Sequence, residues 1–313
     1  MNGIKKKQIG MWIIVIVLIG ASFGGGYLLA EQTKETVGGV GLTLVDAAGR
    51  EITIPKTPER VISLQAGTTE ILFAIGAGDT VVGVNKDGAY PSDYPPEVEN
   101  VENVGNMVSI NVEKVVALKP DIVFTWKYFI NYASVLEEKG ITVFAIDVKT
   151  IDDLLENIRT IGLIMGKLPE AINLTKEMQT KIDDISSKIK DLDESERPKV
   201  YYELSTKTCG GDTFPNEIIY LAGGINIYGA SPIRYPIPNY EYIISENPDV
   251  IIISSANPSS IEEVKNREGW ENINAIKNDR VYEIDYHYTN WGPRTIQGIE
   301  QFAKWFYPDL FQV

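Results

Sequence analysis

Asn111-Val-Glu-Lys-Val-Val-Ala-Leu-Lys-Pro-Asp-Ile-Val-Phe124 recurs, in pattern, as Asn239-Tyr-Glu-Tyr-Ile-Ile-Ser-Glu-Asn-Pro-Asp-Val-Ile-Ile252. In each copy an Asn stands where a helix begins, and its side chain can accept a hydrogen bond from the unpaired amides of the first turn. Glu113 and Glu241 fall in that turn, where negative charge complements the helix dipole. Pro120 and Pro248 stop the helix. Ile122-Val-Phe and Val250-Ile-Ile-Ile follow as short apolar runs, as central strands of a sheet covered on both faces require. The two copies predict two similarly built halves in one chain, each with a carboxylate at an equivalent position.

Outward from the copies, strand and helix patterns alternate. Val61-Ile-Ser-Leu reads as a strand, residues 68–77 as a helix with Ile71, Leu72 and Ile75 on one face, and Val81-Val-Gly-Val as the next strand. After the first copy come a helix near residues 132–139 and the strand Val143-Phe-Ala-Ile. The second half restarts with the strand Val200-Tyr-Tyr-Glu-Leu, a helix over residues 216–222 and its own copy. It closes with the strand Val281-Tyr-Glu-Ile and an amphipathic helix over Thr295–Phe306. Such alternation predicts an α/β fold, parallel strands with helices on both faces. Between the halves, residues 151–192 read as helix, broken in two by Gly162, Gly166 and Pro169. In the second piece Met178, Ile182, Ile185, Ile189 and Leu192 make one apolar stripe. Its place between the copies makes it a strut joining two lobes. The expected organisation is residues 42–166 as an N-terminal α/β lobe, 167–198 as the connecting helix and 199–313 as a C-terminal α/β lobe.

Residues 1–41 differ in kind. Lys5, Lys6 and Lys7 precede a nearly continuous apolar stretch over residues 9–30, long enough to cross a bilayer core. The lysines belong on the inside, so the rest of the chain faces outward. The segment fits a cleaved signal peptide or a retained anchor, and its length and weak cleavage signal favour the anchor. Residues 31–41 are a polar, Gly-bearing stalk. No cysteine follows the apolar run, so a lipidated cysteine is not the tether.

Composition excludes several functions. The chain carries 43 acidic against 29 basic side chains, the wrong balance for nucleic acid. Cys209 and His287 are its sole cysteine and histidine, so no intrachain disulfide, Cys-based metal cage or histidine zinc cluster forms. Gly76-Ala-Gly78 fails the dinucleotide fingerprint, because Val81 takes the third glycine's place. No phosphate-cradling or nucleophile-elbow motif is present. Aromatics, by contrast, gather at predicted strand ends, where ligands of α/β sheets collect. Tyr90, Trp126 and Tyr128, Tyr235 with Arg234, and Tyr286, His287, Tyr288, Trp291 with Arg294 are candidates for a flat or bulky ligand. Arg234 or Arg294 would meet acidic groups on it. A lone histidine in an aromatic stretch is more often structural than catalytic.

With these residues in view, the chain resembles the substrate-binding proteins of ABC importers for ferric siderophores, haem and cobalamin, periplasmic binding proteins of class III type. The resemblance covers nearly the whole chain after residue 41. It rests on Arg60-Val-Ile-Ser-Leu-Gln-Ala-Gly-Thr-Thr-Glu70, Ile75-Gly-Ala-Gly-Asp-Thr-Val-Val-Gly83, Ser92-Asp-Tyr-Pro-Pro96, the first repeat copy through Trp126, and Gly292-Pro-Arg294. It implies two Rossmann-like lobes joined by one long helix, with a metal chelate (ferric siderophore, haem or corrinoid) held in a shallow cleft between them. It implies a non-enzymatic, extracytoplasmic monomer with no intrinsic cofactor, working with a membrane permease and its ATPase. Glu113 and Glu241 look like the family's two glutamates that dock onto permease arginines. Tyr90, Trp126 and Tyr235 look like ligand positions of the cobalamin-binding member. Met107 stands where that member has an aromatic, and still offers a soft apolar contact. Two rivals are a surface-anchored hydrolase using both carboxylates, which must then stand within roughly 10 Å of each other, and a cell-surface interaction protein with no small ligand.

Overall fold

The computed structural model describes residues 41–86, 96–105 and 109–311. The N-terminal apolar segment, Tyr90, Met107 and most of the Ser92–Pro96 motif lie outside the described residues. Among the described residues no helix is long and apolar enough to cross a membrane.

The first elements precede the strand–helix alternation, although each alternates more and less exposed positions along its four residues. Strands β1 (Leu42–Val45) and β2 (Glu51–Ile54) pair antiparallel as a hairpin. Arg50 fastens it to the body by donating to the Val143 carbonyl at 2.8 Å. The chain then alternates. In order come β3 (Val61–Ser63), α1 (Ala66–Ala74), β4 (Val81–Val84), β5 (Glu102–Asn103), α2 (Val112–Ala117), β6 (Ile122–Trp126), α3 (Ala133–Glu137) and β7 (Thr142–Ile146). Their strands form one sheet in the order β5-β4-β3-β6-β7, every pairing parallel. Two helices follow, α4 (Ile151–Ile164) and α5 (Leu168–Ile189). Gly166 makes the break at φ +66°, a left-handed conformation that glycine adopts without strain.

A second sheet is built from the rest. Its run is β8 (Lys199–Leu204), β9 (Lys207–Thr208), α6 (Phe214–Leu221), β10 (Ile225–Asn226), α7 (Tyr240–Glu246), β11 (Val250–Ser254), α8 (Ile261–Lys265), α9 (Asn274–Lys277), β12 (Val281–Ile284) and α10 (Thr295–Phe306). The order is β10-β8-β11-β12, all parallel, with β9 antiparallel on β8.

The repeat holds in detail. Asn111 Oδ1 accepts from the Lys114 amide and Asn239 Oδ1 from the Tyr242 amide, each at 2.9 Å. The helices end alike too: Lys119 and Asn247, each directly before the proline, take left-handed φ of 47° and 50°. A residue preceding proline is pushed out of the right-handed helical region, which forces the stop. Both strands, β6 and β11, then take interior positions next to the edge strands β7 and β12 and are almost wholly buried.

One continuous apolar core runs from the first sheet through α4, α5 and α10 to the second. The α5 stripe is buried at Met178, Ile182, Ile185 and Ile189, with Leu192 packed against its end. Smaller clusters around Leu64, Val123 and Leu136, and around Tyr201 and Trp270, cover the remaining faces. The described residues from 41 to 311 belong to one compact unit.

Candidate functional site

In a parallel sheet the loops leaving the carboxyl ends of the strands share one edge, and ligands collect there. Here both sheets contribute such loops to a single cleft of about 120 Å³. From the first sheet come Gln65 and Gly67 after β3, Trp126 at the end of β6 and Val148 after β7. From the second come Tyr202 and Leu204 of β8, Arg234 and Tyr235, and Tyr286 and Trp291 after β12.

Trp126 is held by its ring nitrogen, which donates to Asp147 Oδ1 at 2.9 Å, and by an edge-on contact with Tyr128 at 4.9 Å between centroids. Lys127 pairs with the other oxygen of Asp147 and lies over the Tyr128 ring. That contact with Asp147 raises the lysine pKa, so the ammonium stays charged beside the aromatic wall. Tyr128 itself is exposed and stands outside the cleft lining. Opposite, Arg234 donates through Nε to the Asp212 carbonyl at 2.7 Å and faces its carboxylate at 3.7 Å. Burial pushes the Tyr235 phenol up from its ordinary pKa, so that hydroxyl remains a neutral donor and acceptor. Asp212 also faces Lys149 of the first half at 3.5 Å, so one exposed carboxylate joins the two halves beside the lining residues Arg234 and Val148.

The back of the cleft is pinned. Gly67 on α1 packs so closely on the backbone of Trp291 that a Cβ there would strike its carbonyl oxygen. One turn on, Glu70 accepts from Arg294 at 2.7 Å. Arg294 therefore sits behind the cleft in an ion pair between the halves rather than in its lining. His287 is buried at 1% exposure, its Nδ1 2.8 Å from Asp285 Oδ1, and is likewise not in the lining. Of the candidates read from sequence, the cleft thus gathers Trp126, Arg234, Tyr235, Tyr286 and Trp291. Gln65 was missed; a glutamine in a strand-to-helix turn carries no signal except its place in the alternation.

Glu113 and Glu241 are both exposed, each in the first turn of its capped helix. Each helix runs back against the strand it feeds, so its N terminus returns toward the carboxyl edge of its sheet. In the chain leading into Glu241, Ile233, Ile237 and Tyr240 are all at least half exposed. Among the described residues no cluster of His, Cys, Asp and Glu is placed to hold a metal ion. A larger groove, about 570 Å³, flanks the edge strand β10 and is lined by mixed charges including Arg197, Lys199, Glu194 and Glu246. It draws on one sheet only and lacks the convergence of strand ends that defines the cleft.

Residues 61–288 match the periplasmic binding protein family. An uncharacterised ABC transporter substrate-binding lipoprotein of Bacillus subtilis is 33% identical over 98% of this chain and 99% of its own. The vitamin B12-binding protein of Vibrio cholerae is 29% identical over 79% of this chain and 88% of its own. The crystal structure of the periplasmic vitamin B12 binding protein of that species superposes with a TM-score of 0.69, covering 81% of this chain and 98% of that one at 27% identity.

Proposed function

We propose that this chain, which belongs to the periplasmic binding protein family, captures a metal chelate outside the membrane and delivers it to an ABC permease. It is a transport component and not an enzyme. The ligand is a ferric siderophore, haem or corrinoid. The observation that carries this reading is the convergence of Trp126, Tyr235, Tyr286 and Trp291, from the strand ends of both sheets, on one cleft. Aromatic walls with a few polar groups suit a flat, bulky ligand. A micromolar complex needs only about 8 kcal/mol of net binding energy, within reach of several aromatic contacts and one cation.

In this reading the two sheets are two lobes, residues 42–166 and 199–313, with 167–198 joining them. The cleft is smaller than the roughly 300–1,000 Å³ of ordinary ligand pockets, so its mouth parts to admit a chelate. The Lys149–Asp212 contact beside the lining is exposed and offers little resistance. Glu113 and Glu241 dock on the permease. The tether is the N-terminal apolar segment: the Bacillus relative is called a lipoprotein, but the only cysteine here, Cys209, is buried in the fold. The hydrolase alternative has less support, because the two glutamates sit on helices of different sheets and face solvent.

Native mass spectrometry of the detergent-solubilised chain, incubated with cyanocobalamin, hemin and ferric hydroxamates, tests the reading. The expected result is a one-to-one complex with one class, with a shifted absorbance spectrum. Absence of any complex at micromolar concentrations overturns it.

A further inference from the structure

The cleft lining includes an amide with no bonding partner among the described residues. Gln65 is 2% exposed and lines the cleft. Neither its Nε2 nor its Oε1 has a hydrogen-bond partner among the described residues. Folded proteins pair nearly all buried side-chain polar atoms, so an exception of this kind calls for an explanation. Gln65 is also the N-cap of α1, yet its side chain does not cap the helix, and no acidic residue sits in the first turn. The opening amides of a helix lack intrahelical partners. Thr68, in the same turn, has a buried hydroxyl that is also without a partner among the described residues. Donors and acceptors therefore gather in this turn near the Trp291 wall, without a partner among the described residues.

A carboxamide side chain offers a donor and an acceptor in one plane. Its complement is a second primary amide, which returns one bond to each atom. A carboxylate on the ligand pairs with Nε2 alone and leaves Oε1 facing another oxygen. We propose that Gln65 reads a primary carboxamide arm of the ligand and selects amide-armed chelates over carboxylate-armed ones. This rests on the receptor function proposed above and narrows its substrate class.

The test compares the full-length chain with Gln65→Leu, using cyanocobalamin, which carries primary carboxamide arms, and hemin, which carries carboxylates. Binding is read by quenching of tryptophan fluorescence, and folding by thermal melting. Leucine fills a similar volume and removes two unsatisfied buried atoms, so the melting temperature should hold or rise. Cyanocobalamin affinity should fall by roughly tenfold or more, since the ligand amide then loses its partner. A purely structural role for Gln65 predicts the reverse, a lower melting temperature with affinity intact. Unchanged cyanocobalamin affinity, or wild-type chain that binds hemin and not cyanocobalamin, overturns the carboxamide inference and leaves the receptor reading standing. Wild-type chain that binds neither probe overturns the inference, while the receptor reading then turns on the ferric hydroxamates alone.

Discussion

Glu217 shows what one side chain does when two halves close on each other. It lies half-buried on α6, facing the start of α4. Burial raises its carboxyl pKa, the nearby Asp152 and Asp153 raise it further, and a bond from the Ile151 amide only partly offsets them. The folded chain therefore holds this proton more tightly than the unfolded chain does. Ionising it costs stability; the cost is absent below the ordinary value near 4.5 and complete once pH exceeds the raised folded value. Glu217→Gln should raise the melting temperature at pH 7, and the advantage should vanish at pH 4. An equal gain at both pH values would mean the effect is packing and not charge. The same scale marks the limit of reading side chains from sequence. Trp126, Tyr235 and Trp291 line the cleft, but Tyr128 beside the same strand end stands outside it, so an aromatic at a strand end is a candidate and no more. Arg294 could not be placed, because its partner Glu70 lies 224 positions away.

Elements were legible where they repeat or carry a period. The copies gave α2, β6, α7 and β11 within a residue or two, because cap, stop and apolar run each restrict the backbone independently. The α5 stripe was legible for the same reason: buried positions spaced by four and three leave one helical face. The hairpin β1–β2 and the two-residue strands β5, β9 and β10 were not. The hairpin strands do alternate but stand outside the strand–helix pattern; the two-residue strands are too short to alternate, and they exist because a neighbouring edge offers ladder bonds. The caps themselves can be tested. Asn111→Ala and Asn239→Ala each remove one acceptor from a first-turn amide, at a cost of about 1 kcal/mol. Chemical denaturation should show losses of that size in each variant, with Asn→Ser recovering most of it. A loss in one copy alone would break the equivalence of the two helices.

At the scale of the molecule, stiffness and exposure are divided. The α5 helix, about 33 Å long at 1.5 Å per residue, shares a core with both sheets. The Gly67–Trp291 and Glu70–Arg294 contacts pin the cleft from behind. Beside the lining residues Val148 and Arg234, Lys149 and Asp212 pair across the two halves in solvent. A ligand should therefore move the halves by a small tilt and leave the outward faces of α2 and α7 little changed. Ligand capture and permease docking would then be separable, the first in the cleft and the second at Glu113 and Glu241. Ile233, Ile237 and Tyr240, exposed in the segment that leads into Glu241, favour a protein partner for that segment, since apolar side chains left in solvent mark contact surfaces. Joint replacement Glu113→Ala and Glu241→Ala should abolish uptake in cells while the purified variant binds its chelate as tightly as wild type. Each glutamate is solvent-exposed and outside the cleft lining, so weakened binding in the double variant would refute the separation of roles. Normal uptake would remove both residues from the transporter contact.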